Sequence, residues 1–463
     1  MEFETISDEL AAIVDTGLKF AKKHDPIAEY EIFLMYKNIF SVNNVQGVLE
    51  SKDGVISGVG IRVALDKKVG FFSSSGIDPD VIQKTIIEAH TIAKHLPIGN
   101  DKFMGFANKE SPGKIGFFCN EILAQDCETL VPASEKIRKD VLTREPRVSS
   151  VVITIESAYG GFSVGNTSGV LGSSSSALNT LWIDVKVKEG VQEKSSYDGI
   201  VSRHISIENT NLEASSIQKA LDLLNSKKLN YTGQMQTIWD PTALGEHIRY
   251  GLGAGISGNN IIEGISPLKD QLGEKIAVNQ LNIVDRGQDP LSPKTEAIDE
   301  EGERKQDNVI IENGVLKQFL FNSYYGKISG TGSTGNASRG FNRPQSFAYD
   351  FTPDIALNCF HVEEGAKTMD ELISDVEKQA ILLKNYAVGM HHSSPSTGEF
   401  SVVFPEAFLI EKGEIKFSIP QMSVSGNFFD GLKNIHTIGK GKIRNPEFIV
   451  TPPIKFDGFT IVG

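Results

Sequence analysis

Ile298 to Phe341 reads IDEEGERKQDNVIIENGVLKQFLFNSYYGKISGTGSTGNASRGF. In about one tenth of the 463-residue chain it places an acidic turn (Asp299, Glu300, Glu301, Gly302), an amphipathic strand pair and a loop of small polar residues. That combination is too particular to be generic globular filler.

Upstream, Ser7 to Lys23 carries Leu10, Ile13, Val14, Leu18 and Ala21 at helical spacing. Four strand-like segments follow, Tyr30 to Tyr36, Phe40 to Glu50, Val55 to Ala64 and Lys68 to Ser74, which predict an antiparallel meander. A helix is expected from Asp78 through His95, with Pro79 at its first position, where the missing N–H costs nothing. Another is expected around Glu121 to Asp140, interrupted near Pro132. Val148 to Val191 alternates as strands, and Asn211 to Leu224 closes the first half as a helix.

Asn225 to Gly233 is polar and turn-rich and marks the expected boundary. The reading is therefore α+β: residues 1–229 as a helix and antiparallel-sheet domain, and 230–463 as a strand-rich, barrel-like or sandwich-like domain. In the second half, helices are expected near Pro241 to Gly253 and Thr368 to Asn385.

Composition narrows the function. A net charge of −13 and the absence of a clustered Lys/Arg face argue against a nucleic-acid partner. No apolar run reaches transmembrane length, so no membrane partner is expected. Cys119, Cys127 and Cys359 are too few for a disulfide framework, and a reduced cytoplasmic home is the expectation.

Several segments together resemble the TldD/PmbA family, known as modulators of DNA gyrase and as zinc metalloproteases. They are SGVGIRVALDKKVGFFSSSGIDPDVIQKTIIEAHTIAK (Ser57 to Lys94), LGEKIAVNQLNIVD (Leu272 to Asp285), STGNASR (Ser333 to Arg339), TGEFSV (Thr397 to Val402) and SVSGNFFDGLKNIHTIGK (Ser423 to Lys440), beside the opening stretch. In active subunits the resemblance implies a zinc held by a His-Glu-x-x-x-His helix and a cysteine near the C-terminus. There the metal would lower the pKa of a bound water while the Glu takes its proton.

The corresponding helix here is Asp240 to Gly255. With Glu246 at the motif glutamate, Gly245 and Tyr250 stand where the histidines belong, and no cysteine follows Cys359. The resemblance thus implies the PmbA/TldE-type branch. Such a subunit carries no metal of its own and pairs, as a heterodimer, with a zinc-bearing TldD-type paralogue that acts on unfolded peptides. Two other readings compete: an autonomous hydrolase using His247 with His391 or His392, and a homodimeric peptide-binding or scaffold protein without proteolytic role.

Each remaining motif has a plain alternative. Gly330, Gly332 and Gly335 spell G-x-G-x-x-G, but the residues through Pro344 lack the helix that a dinucleotide site needs. Ser333, Thr334, Asn336 and Arg339 either line a peptide cleft or form a loop bonded to itself. His391 and His392, if on a strand, point to opposite faces. Glu246 and His247 are an acid/base couple or a surface pair. Asp299, Glu300 and Glu301 bind a hard cation or simply turn the chain.

Overall fold

The computed structural model describes residues 2–108, 120–203, 210–340, 347–446 and 448–463; Phe341, Pro344 and Cys119 lie outside the described residues. In the first half, β1 (Glu29–Val45), β2 (Val48–Leu65), β3 (Lys68–Ser75), β4 (Val148–Asn166), β5 (Leu171–Glu189) and β6 (Gln192–Ser202) form one sheet ordered β3-β2-β1-β4-β5-β6. Every neighbouring pair is antiparallel.

The sheet has two differently covered faces because side chains alternate along each strand. Ile32, Leu34 and Val42 of β1 face α1 (Phe3–His24), α2 (Pro79–His95), α4 (Cys127–Arg144) and α5 (Leu212–Asp222), with α3 (Asn120–Leu123) nearby. The apolar stripe of α1, from Ile6 and Leu10 through Val14 to Ala21, is buried there. On the opposite face Phe33 and Val164 meet Ala297, Ile298 and Tyr349 of the second half. Burial on both sides explains why Tyr30 to Leu34 is a continuous buried run.

Two expectations are corrected here. The segments Tyr30 to Tyr36 and Phe40 to Glu50 are not separate strands: β1 runs unbroken to Val45, and the chain reverses at Gln46-Gly47, both at positive φ (53° and 91°). Lys37 and Asn38 read as a break, yet both stay paired with β2 and β4 beyond the core. Nor does Pro132 interrupt its helix. A capping box between Asp126 and Thr129 starts α4, and burial of Leu130, Ala133, Ile137 and Val141 carries it past one lost hydrogen bond.

The second half is strand-rich, and the whole is an α+β fold. Its larger sheet runs, in order, Glu399–Phe404, Met422–Asn427, Ile454–Val462, β7 (Thr232–Trp239), Gln379–Lys384, Glu406–Glu411 and Glu414–Ile419. A six-stranded sheet containing Ile283–Asp285, Asn308–Glu312 and Phe360–Val362 shares one core with it, around Trp239, Phe404, Phe360 and Ile311.

The expected helix over Thr368 to Asn385 is helical only at Met369–Ser374. Gln379–Lys384 is instead a central strand parallel to β7, and its buried Ala380 to Leu383 is an apolar run without period. Among the described residues no helix is long and apolar enough to cross a membrane.

Candidate functional site

The site begins at α6 (Pro241–Ile248), which follows β7 directly. Asp240 caps it by accepting from Ala243 N at 2.8 Å, and Pro241 occupies the first position. Gly245 is buried, and a Cβ there would overlap the Asn445 side-chain amide, which donates to Pro241 O at 3.2 Å. Glu246 Oε2 accepts from Ala387 N at 3.0 Å, and burial pushes its carboxyl up to about 7, against the Ala387 N–H and Arg249.

His247 turns into the core. Its ring lies 4.6 Å from Trp239, 4.5 Å from Phe400 and 4.6 Å from Phe428, centroid to centroid. Nδ1 faces Met390 Sδ at 3.5 Å, and Nε2 has no hydrogen-bond partner among the described residues. Burial lowers its pKa to about 3, so the imidazole stays neutral. Glu246 and His247 are not a surface pair, and no contact couples them: His247 is a core residue, while Glu246 meets Ala387 N.

Beyond Ile248 the helix widens into a π-turn, Arg249–Gly253, a distortion that recurs at functional sites. The Arg249 guanidinium lies 5.1 Å above the Tyr250 ring. Both residues line a cleft of roughly 440 Å³ with Ser257, Asn260, Asp354 and His391. A zinc ion tests poorly against this helix. Gly245 has no donor atom and its side-chain direction is filled by Asn445, Tyr250 offers a phenol rather than an imidazole, and His247 is sealed among aromatic rings.

His391 and His392 correct another expectation. They lie in a tight helical turn, Met390–His392, rather than on a strand, and their rings sit 3.9 Å apart on the exposed side. His247 approaches Met390 in the same turn but presents its ring to the core.

The four loop residues are placed as follows. Thr334 Oγ1 donates to Asn336 Oδ1 at 2.7 Å and receives Phe321 N at 2.8 Å. Asn336 donates to Asp285 Oδ2 at 2.7 Å and to Ala356 O at 2.8 Å. Both are buried within the second half, while Ser333 is half-buried on the rim of a polar hollow formed with Glu303, Arg304 and Asp307. Gly330, Gly332 and Gly335 all have positive φ, and the chain continues into the short strand Ala337–Ser338, not a helix.

Arg339 is buried: Nη2 donates to Glu31 Oε1 of β1 at 2.5 Å, Nη1 to Phe351 O at 2.8 Å, and the guanidinium lies 4.6 Å over the Phe33 ring.

Opposite it, Arg62 of β2 donates to both Glu31 oxygens (2.8 and 2.6 Å) and to Glu301 Oε1 (2.7 Å). Burial alone would raise Glu31, but the two arginines overcome it and hold its pKa below the usual carboxylate value. Asp299 accepts the N–H groups of Glu301, Glu303 and Ala337, and Glu300 accepts from Arg339 N. The acidic turn is thus a buried junction between the halves, its carboxylates engaged by backbone and arginine.

One group was missed by sequence reasoning. Asp289, Cys359 and His361 converge, with His361 Nε2 2.6 Å from Asp289 Oδ2. Arg444 donates to Asp289 at 2.6 Å and to Cys359 Sγ at 2.9 Å, so two of the three groups already have a cationic partner. The Cys-x-His spacing at Cys359 and His361 was the available signal.

A domain model described as PmbA/TldA metallopeptidase C-terminal domain matches residues 232–463, and one described as PmbA/TldA metallopeptidase domain 1 matches residues 30–93. The chain belongs to the PmbA/TldD family. It is similar to an uncharacterized protein of Methanocaldococcus jannaschii, 27% identical over 414 residues that cover 88% of this chain and 89% of that one. It is also similar to a protein named Metalloprotease TldD homolog from Buchnera aphidicola, at 24% identity over 88% and 86% of the two chains. The crystal structure titled TldE from Thermococcus kodakarensis superposes with a TM-score of 0.86 at 23% identity, over 97% of this chain and 100% of that one, a likeness of fold.

Proposed function

We propose that this chain is the PmbA/TldE-type subunit of a cytoplasmic TldD/TldE-like metalloprotease, completing an assembly whose zinc is held by a TldD-type paralogue and whose substrates are unfolded peptides. The carrying observation is the surroundings of α6. Asn445 fills the side-chain direction of Gly245, Tyr250 stacks under Arg249, and the one histidine of the helix lies in an aromatic box. A zinc-bound water needs three ligand atoms converging on an open position, and this helix supplies no such set. Relatives named TldD and titled TldE both match over most of the chain, so the branch rests on the site rather than on the likeness. The role left to this subunit is to dimerise and shape the peptide path.

The test is an unstructured-peptide assay with this chain alone, a His-Glu-x-x-x-His paralogue from the same cell alone, and the two mixed, each analysed for bound metal. Cleavage by the mixture well above either part supports the proposal. Stoichiometric zinc together with cleavage by this chain alone overturns it.

A further inference from the structure

The sheet face turned toward the second half does not close on it everywhere. Beside the apolar contact at Phe33 and Ile298 lies a cavity of about 270 Å³, close to the lower bound for small-molecule sites. Met35 of β1, Phe162 of β4 and Leu178 of β5 form part of its wall and are only half-buried, so they keep apolar surface toward the space. Lys305, Glu296 and Glu300 of the second half and Arg203 of the first also line it.

Lys305 is the group here that lacks a counter-charge. The residue is 8% exposed, and Nζ donates to Lys294 O at 2.9 Å. An ammonium carries three donors; among the described residues the other two have no partner, and no carboxylate forms an ion pair with Lys305. The neighbouring carboxylates are engaged elsewhere. Glu296 accepts from Arg203 at 2.7 Å and from the Ser174 hydroxyl, Asp299 from three backbone N–H groups, and Glu300 from Arg339 N. Burial accordingly draws the Lys305 amine below its ordinary pKa, with Arg203 adding to the effect, although Glu296, Glu300 and Asp299 pull the other way. A buried cation without a partner is costly, and a bound anion offsets that cost.

We propose that this cavity receives the C-terminal residue of a peptide, its carboxylate accepting from Lys305 Nζ and its apolar side chain lying against Met35, Phe162 and Leu178. The carboxylate follows from Lys305 and the apolar side chain from the wall; naming a peptide rests on the function proposed above. Ala356 and Leu357 border both this cavity and the α6 cleft, so the two spaces adjoin.

The test is calorimetric titration of this chain alone with three probes: acetyl-Ala-Leu as the free acid, the same compound as its C-terminal amide, and hexanoate. The acid should bind about tenfold or more tightly than the amide, which lacks the charge, and than hexanoate, which lacks the peptide. Lys305→Met, close in volume but uncharged, should bring acid and amide level while still unfolding cooperatively. If that variant does not fold, the comparison of acid with amide on the native chain decides alone. Equal binding of acid and amide, binding of neither, or hexanoate binding as tightly as the acid overturns the proposal, as does a folded Lys305→Met that still prefers the acid. No paralogue enters this experiment, so its failure leaves the mixed-subunit assay untouched. Failure of that assay with binding retained here strikes the subunit assignment alone.

Discussion

Glu246 shows how burial in a helix can change the chemistry of one carboxyl. Its carboxyl is held near neutrality by burial, and the partners that oppose this are one backbone N–H and Arg249. Because the folded-state pKa, about 7, lies above the unfolded value of 4.5, folding favours the protonated form. The associated stability is present below the unfolded pKa and is lost as pH rises toward 7. Glu246→Gln, neutral at every pH and still able to accept from Ala387, should therefore gain on the native chain as pH rises from 5 to 8. The gain should reach on the order of 2–3 kcal/mol, read from denaturant midpoints of both proteins across that range. A difference that stays flat with pH would remove the shifted carboxyl. The sequence pointed to a helix here; it could not show Asn445 entering from two hundred residues away to fill the space beside Gly245.

At the level of elements, the small-residue loop and the acidic turn act together with β1. Arg339 reaches Glu31 on that strand, and the pair is removed from water except for what Arg62 and Glu301 supply. Truncating one member of a buried pair leaves the other charge without full compensation, which costs about 3–5 kcal/mol. Arg339→Met should lower stability by that order in urea unfolding, whether or not peptide is present. A variant that unfolds like the native chain but loses affinity for peptide would instead assign Arg339 to substrate.

Much at this scale was legible. The apolar stripe of α1, Pro79 at the start of α2 and the alternation of β4 and β5 each carry a local period or cap. Gln379–Lys384 was not, because four consecutive buried apolar residues fit a helix and a central strand equally, and only the neighbouring β7 decides between them. The straight run of β1 through Lys37 and Asn38 was hidden for a related reason: the pairing that sustains it comes from β2 and β4, outside the local window.

For the whole molecule, the informative arrangement is a sheet whose central part, around Tyr30 to Leu34, is buried on both faces, by its own helices on one side and by the second half on the other. Apolar contact at Phe33, Val164, Ile298 and Tyr349 gives that junction area, and the arginine–carboxylate chain gives it geometry. Arg62 and Arg339 both cross: Arg62 joins Glu31 of the first half to Glu301 of the second, and Arg339 of the second half reaches the same Glu31. Removal of Arg62 leaves Glu31 with Arg339 alone and Glu301 with the Ser323 N–H, a penalty that separation of the halves relieves by rehydrating both carboxylates. The Arg62–Glu31 pair inside the first half is lost as well, so that half is weakened directly while the second is not. The native chain should melt in one cooperative transition, whereas Arg62→Met should melt in two, with a van't Hoff enthalpy well below the calorimetric one. Scanning calorimetry reads the difference. If Arg62→Met keeps a single transition at a lower temperature, the junction is held by its apolar contacts and the ion chain serves only to orient the halves.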